Sequence, residues 1–231
     1  MDVRIVHCIG GAAEGEGLAV VIDVFRAAST ACVAAANGAE RIVPVAEIEA
    51  AFALKRAHPE WVLMGERDYR KVSGFDFGNS PAEIEQVDFT GRTVIQATSA
   101  GTRGLVEAAG RAEEVLFGCF ANAAATVAYV RSRSPAVVTL AALGTGGDSR
   151  APEDDMCAIY LKNELDGFPN SFAAIKRYLA TVERARKFFD PAQDFAPERD
   201  FELCLDLDRF DFALRCGSWE GQGPCLYPIR P

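Results

Sequence analysis

The chain has 231 residues, 49% of them apolar and 25% charged, with a formal net charge of −9. That length can bury a sizeable core. The acidic balance leaves no basic face for a nucleic acid, gives no attraction to an anionic membrane surface, and comes with no apolar run of about 18 residues to span one.

The start, Met1-Asp2-Val3-Arg4-Ile5, has no basic segment followed by an apolar one, so no signal peptide is expected. Residues 18–24 read as a fully buried strand and 27–37 as the helix after it, with Gly38 as the stop. Residues 41–45 read as a second strand, 46–57 as a helix, and 61–64 as a third, short strand. A strand at 93–97 precedes a helix over 102–109, and a strand at 114–117 precedes a helix over 121–131. Residues 136–143 form the next strand, followed by a glycine-rich loop and a helix from 152 to about 165. Alternation of this kind implies parallel strands joined by crossovers, covered on both faces. The expectation is a three-layer α/β/α sandwich with a mostly parallel sheet, folded as one domain over 1–231. The last 60 residues change character: eight acids against two arginines lie between Asp190 and Asp211. Residues 212–216 and 225–229 read as edge strands closing the sheet.

Seven cysteines are widely spaced without a CxxC pair, which suits reduced, buried thiols in a cytoplasmic protein. Only His7 and His58 occur, with no HExxH, so a histidine-rich zinc site or a Ser-His-Asp triad has little support.

Ligands of open α/β sheets bind outside the carboxyl ends of the strands. Four loops there share carboxylates, arginines, hydroxyls and glycines. They are Asp23-Val24-Phe25-Arg26-Ala27-Ala28-Ser29-Thr30; Gly65-Glu66-Arg67 with Gly74-Phe75-Asp76-Phe77-Gly78-Asn79-Ser80-Pro81; Thr98-Ser99-Ala100-Gly101-Thr102-Arg103-Gly104; and Gly144-Thr145-Gly146-Gly147-Asp148-Ser149-Arg150 running into Pro152-Glu153-Asp154-Asp155. Magnesium takes hard oxygen ligands, and phosphate takes arginine forks, hydroxyls and backbone N–H groups. Blander roles compete. Ser29 and Thr30 suit helix capping, Ser80 and Glu83 a capping box around Pro81, and Glu153 to Asp155 the positive end of a helix. Other motifs fail: Asp-x-Asp is broken by Phe25, a P-loop lacks its lysine, and a dinucleotide fingerprint from Gly144 meets Ser149 in place of its last glycine.

Four blocks from these regions, Ile22-Asp23-Val24-Phe25-Arg26-Ala27-Ala28-Ser29-Thr30, Gly65-Glu66-Arg67 with Gly74 to Pro81, Gly101-Thr102-Arg103, and Glu153-Asp154-Asp155-Met156-Cys157-Ala158, in this order across roughly residues 20 to 160, resemble the 2-phosphosulfolactate phosphatase family of coenzyme M biosynthesis. Gly74-Phe75-Asp76-Phe77-Gly78-Asn79-Ser80-Pro81 is the most specific block. Phe25, Ala28 and Ala100 depart from the family's usual leucine, hydroxyl residue and asparagine. The resemblance implies Mg2+-dependent hydrolysis of 2-phospho-3-sulfolactate, or a closely related phospho-acid, to 3-sulfolactate and phosphate. Asp23, Arg26, Glu66 and Arg103 are the expected catalytic residues. The metal set is Asp23 and Glu66, with Glu153 or Asp154 nearby and Asp76 as a further candidate. Arg26, Arg103 and Arg150 are expected in one pocket with Thr102 and Asn79, binding a small anionic phosphate ester. Phe25, Phe75 and Phe77 read as core or pocket wall. Two rival readings stand: a phosphotransferase working through an aspartyl-phosphate on Asp23, and a non-catalytic binder of an organic acid or phosphate. A homodimer is an open option.

Overall fold

The computed structural model describes residues 1–219 and 223–231. The first half of the chain supplies β1 (Asp2–His7), α1 (Cys8–Ala13), β2 (Leu18–Ile22), α2 (Ala27–Ala36), β3 (Arg41–Val45), α3 (Ile48–Ala57), β4 (Val62–Arg67), β5 (Arg70–Lys71), α4 (Pro81–Ile84), β6 (Thr93–Ala97) and α5 (Gly101–Ala109). The second supplies β7 (Glu114–Gly118), α6 (Ala123–Arg133), β8 (Val137–Ala142), α7 (Pro152–Asp166), α8 (Phe172–Leu179), α9 (Arg186–Phe189), α10 (Glu198–Cys204), β9 (Ala213–Ser218) and β10 (Pro224–Ile229). Short 3-10 turns lie at Phe120–Asn122 and Glu183–Ala185.

The strands form one sheet, ordered β1-β8-β2-β7-β9-β10-β3-β6-β4-β5. The expected α/β class holds. β1, β8, β2 and β7 run parallel, and so do β3, β6 and β4. The C-terminal hairpin corrects one expectation: it is not an edge. β9 pairs antiparallel with β7, and β10 pairs antiparallel with β3 through Leu226 and Ile42, so the hairpin joins two parallel blocks. Ala213, Leu214 and Leu226 are fully buried. Arg215 disguises the strand, because its polar head reaches out to Glu114 and the Tyr227 hydroxyl. The edge strands β1 and β5 are both unforeseen: in β1, Asp2 and Arg4 alternate with Val3 and Ile5 and dilute the apolar signal, and β5 is only Arg70-Lys71.

β2 is buried at all five residues, as a strand covered on both faces must be. α2 is alanine-rich and buried from Ala27 to Ala35, so it has no polar face to give to water. Ser29 and Thr30 lie inside this helix and donate back to the Val24 and Arg26 carbonyls, so they do not cap it. The Asp23 Oδ1 caps it instead, accepting the Ala27 N–H at 3.1 Å.

The sheet is strongly curled. β2 and β4 are six strand steps apart, about 29 Å if flat. Yet the Gln96 amide of β6 donates to the Ala27 carbonyl at 3.0 Å, which brings the β6 end over the start of α2. The carboxyl ends of both parallel blocks therefore face one space. All seven cysteines are free, and no helix among the described residues is long and apolar enough to cross a membrane.

Candidate active site

Asp23, Phe25, Arg26, Glu66, Asp68, Tyr69, Asn79, Ser99, Ala100, Gly144 and Arg184 are among the residues that enclose a cavity of about 280 Å³ at these converging strand ends. Asp23 leaves β2 and is buried, with Oδ1 fixed by the cap on α2. Burial, followed by the charges of Glu66 and Glu153, pushes its carboxyl up to about 6, against the pull of the Ala27 N–H and Arg184. Glu66, near the end of β4, is buried and braced by three donors: the Ser99 N–H at 2.7 Å, the Tyr69 N–H at 2.9 Å and the Ser99 hydroxyl at 3.1 Å.

Two glycines of the motifs exist for close approach. At Gly101 a Cβ would lie 2.8 Å from the Asp23 Oδ2 and 2.5 Å from the Ala27 Cβ. Gly65 has φ of +152°, and a Cβ there would sit 1.9 Å from the Ala97 carbonyl oxygen, so only glycine lets β4 press against β6 beside Glu66.

Asp154 holds the site's frame. Its two oxygens accept the Val24 and Gly144 N–H groups, each at 2.8 Å, which ties the loop after β2 to the loop after β8. Burial and the neighbouring Asp23 and Glu153 charges raise its carboxyl well above the usual carboxylate range. Glu153 lies behind the cavity wall: Oε1 meets Arg184 at 3.2 Å, and Oε2 is buried without a partner.

Several expected residues lie elsewhere. Asp76 is outside the cavity, because its Oδ2 accepts the Leu63 N–H at 2.8 Å and pins the loop to β4. Thr102 is buried, and its hydroxyl accepts the Thr98 N–H at 2.8 Å. Arg150 is exposed and paired with Asp155 at 3.0 Å. Arg103 is the exposed residue of the otherwise buried first turn of α5, donating to the carbonyl of the cavity residue Ser99 at 3.4 Å. Arg26 does line the cavity, but its buried guanidinium is committed to Asp200 at 2.6 Å and to the carbonyls of Phe195 and Tyr69. Ser80 accepts the Glu83 N–H at 3.2 Å as expected of a cap. The box closes differently, since Glu83 reaches back to the Gly78 N–H. Of that block, Asn79 faces the cavity, with its Oδ1 buried and unbonded. Phe25 lines the cavity and packs edge-on against Phe188 at 5.0 Å.

Three contributors carried no sequence signal: Asp200, which neutralises Arg26; Arg184; and the turn Asp68-Tyr69. Both turn residues have positive φ, 52° and 68°, in the two-residue link between β4 and β5. Such a turn without glycine is strained by roughly 1 kcal/mol or more per residue. Glu66 and Arg26 clamp it through the Tyr69 backbone.

A family model described as 2-phosphosulpholactate phosphatase matches residues 8–216. The chain belongs to that family. It is accordingly a phosphatase, a hydrolase acting on a phosphoric monoester. A probable 2-phosphosulfolactate phosphatase of Thermotoga petrophila is 33% identical over 200 residues, covering 83% of this chain and 86% of its own. Proteins of the same description from Caldicellulosiruptor saccharolyticus and Bacillus subtilis are 36% and 33% identical over 212 residues each. They cover 85% and 90% of this chain, and 87% and 90% of their own length. The matched span includes every family block and also reaches Arg184 and Asp200, which lie beyond the blocks.

The donor set suits a hard cation. Among the described residues no three His, Cys, Asp or Glu side chains converge closely enough to cage a metal by themselves. Magnesium asks for less: one or two carboxylates, with water and substrate oxygens completing six positions. Asp23 and Glu66 would be that pair, both lining the cavity, with the unpartnered Glu153 oxygen nearby.

Proposed function

We propose that this phosphatase hydrolyses 2-phospho-3-sulfolactate, or a closely related small phospho-acid, to 3-sulfolactate and phosphate, with Mg2+ held by Asp23 and Glu66. The observation that carries this reading is the single cavity in which Asp23 and Glu66 stand beside Arg184, in a member of this family. The relatives' names supply the substrate, and coenzyme M biosynthesis is the pathway that substrate implies.

Each residue has a task set by its surroundings. Asp23 and Glu66 would hold the ion, and the three donors on Glu66 keep its carboxylate from swinging away. When bound, the ion polarises a phosphoryl oxygen and lowers the pKa of a water. Asn79 lines the cavity, and its amide oxygen, buried without a partner, is an acceptor that a bound ligand can satisfy. Gly146, at positive φ, can bring its backbone close to the phosphoryl oxygens, while the Gly144 N–H stays on Asp154. Arg103 has no carboxylate partner among the described residues, so from the rim it can close on the phosphate. Arg26 acts from behind, since the Arg26–Asp200 pair sets the shape of the wall.

The test is phosphate release from 2-phospho-3-sulfolactate, 2-phospholactate, 2-phosphoglycerate and a nucleoside monophosphate, with magnesium and with chelator. Release from the sulfonated ester, abolished by chelator, is expected. A preference for the nucleotide would overturn the substrate, and chelator-insensitive turnover would overturn the metal.

A further inference from the structure

A second cavity, of about 400 Å³, adjoins the first, and the two share Tyr69 and Arg184. Its cationic wall comes from a segment that carries no family motif: Arg184 on the 3-10 turn, and Arg186 and Lys187 on α9. Arg184 donates to Glu153 through Nε, which leaves its two terminal nitrogens without a protein partner among the described residues. A fork free at its outer end fits the paired oxygens of an oxyanion.

Lys187 is the second half of this wall. Its ammonium sits over the Tyr69 ring at 4.5 Å and the Phe188 ring at 5.1 Å, with no ion pair among the described residues. Burial, then the charges of Arg26 and Arg184, lower its amine to about 8. Among the described residues neither acid of this wall forms an ion pair with these cations: Glu183 is exposed, and Asp190 accepts the Ala192 N–H at 2.9 Å. Arg184, Arg186 and Lys187 line this cavity with one ion pair among them, Arg184 to Glu153, so an anion is the ligand that their field favours.

Building on the phosphatase reading, we infer that Arg184 and Lys187 form the subsite for the acidic group remote from the phosphate, so that the enzyme selects phospho-acids carrying a second strong acid, such as a sulfonate. With the phosphoryl group in the cavity that Asp23 and Glu66 line, the rest of a three-carbon ester extends past Arg184 and Tyr69 into the adjoining cavity. There Arg184 takes two oxygens of the remote acid and Lys187 takes the third.

The experiment is a selectivity ratio: kcat/KM for 2-phospho-3-sulfolactate divided by that for 2-phospholactate, which lacks only the sulfonate. Lys187→Met should lower the ratio on the order of tenfold to a hundredfold, the worth of one charge-assisted contact. The change should lie in KM, and Lys187→Arg should restore most of it, whereas a merely structural role would not track charge. If Lys187→Met does not fold, Arg184→Lys is read the same way, because lysine cannot make the fork. An unchanged ratio in a folded variant overturns the subsite and leaves the phosphatase reading intact. A wild-type enzyme that hydrolyses neither ester overturns that reading, and this inference with it.

Discussion

Asp23, Glu66 and Asp154 stand at strand ends or in the first turn of a long helix, each accepting backbone N–H groups. Arg184 and Lys187 stand on a 3-10 turn and a one-turn helix, and Lys187 touches mainly aromatic rings. One wall of the site is built into the sheet, and the other is laid over it. A carboxylate that must repel its neighbours needs a rigid frame. A cation that meets a variable part of the substrate needs only a surface to rest on. The frame should therefore tolerate little change, while the laid-over wall should retune specificity without unfolding the protein.

The largest effect should come where the two walls are pinned together. Asp200 on α10 neutralises the buried Arg26 at 2.6 Å and also accepts the Ser80 hydroxyl and the Ala82 N–H, each at 2.8 Å. Asp200→Ala leaves a guanidinium buried without its acid, which costs about 3–5 kcal/mol. Urea unfolding monitored by fluorescence should show it, and a loss under about 1 kcal/mol would mean that the pin is dispensable. Glu66→Gln comes next. The amide keeps the shape but lacks the charge and one acceptor, so kcat should fall about 100- to 1,000-fold. A folded Glu66→Gln enzyme with near wild-type kcat would break the distinction between frame and surface.

The frame also sets a pH dependence. Asp23 is held at about 6 against its ordinary 3.8. The folded state therefore binds the proton more tightly than the unfolded chain. In chelator, the Asp23 contribution to stability should be full below about pH 4 and lost as pH rises through about 6, a change of at most roughly 3 kcal/mol. Asp23→Asn should flatten that part of the curve, and a variant with the wild-type slope would show that the strain lies elsewhere. The smallest effect belongs to Arg150, 63% exposed and paired with Asp155. Arg150→Ala should change stability by less than about 1 kcal/mol and leave turnover close to wild type. A loss of turnover there would restore Arg150 to the site.

The sequence shows the α/β alternation, the buried character of β2 and the carboxylates at strand ends, because short-range pattern carries that information. It does not show the central placement of Ala213–Ser218 and Pro224–Ile229, since Arg215 interrupts the apolar pattern of a buried strand and pairing partners are set by the whole sheet. Asp76, Thr102 and Arg150 share residue types with the site but spend their polar atoms on Leu63, Thr98 and Asp155. Spacing cannot distinguish a ligand from a brace. Arg184 and Lys187 reach the site only through tertiary packing of a segment with no periodic signal. Their approach to Tyr69 depends on a strained turn that has no glycine to announce it.

The central claim is that turnover belongs to the Asp23 and Glu66 cavity, while acids of the same motifs outside it are structural. The direct measurement is magnesium-dependent kcat/KM on 2-phospho-3-sulfolactate for Asp23→Asn beside Asp76→Asn, with thermal midpoints confirming that both fold. The expected result is a loss on the order of 1,000-fold for Asp23→Asn and near wild-type values for Asp76→Asn. Comparable activity in the two folded variants, whether both retained or both lost, would contradict it.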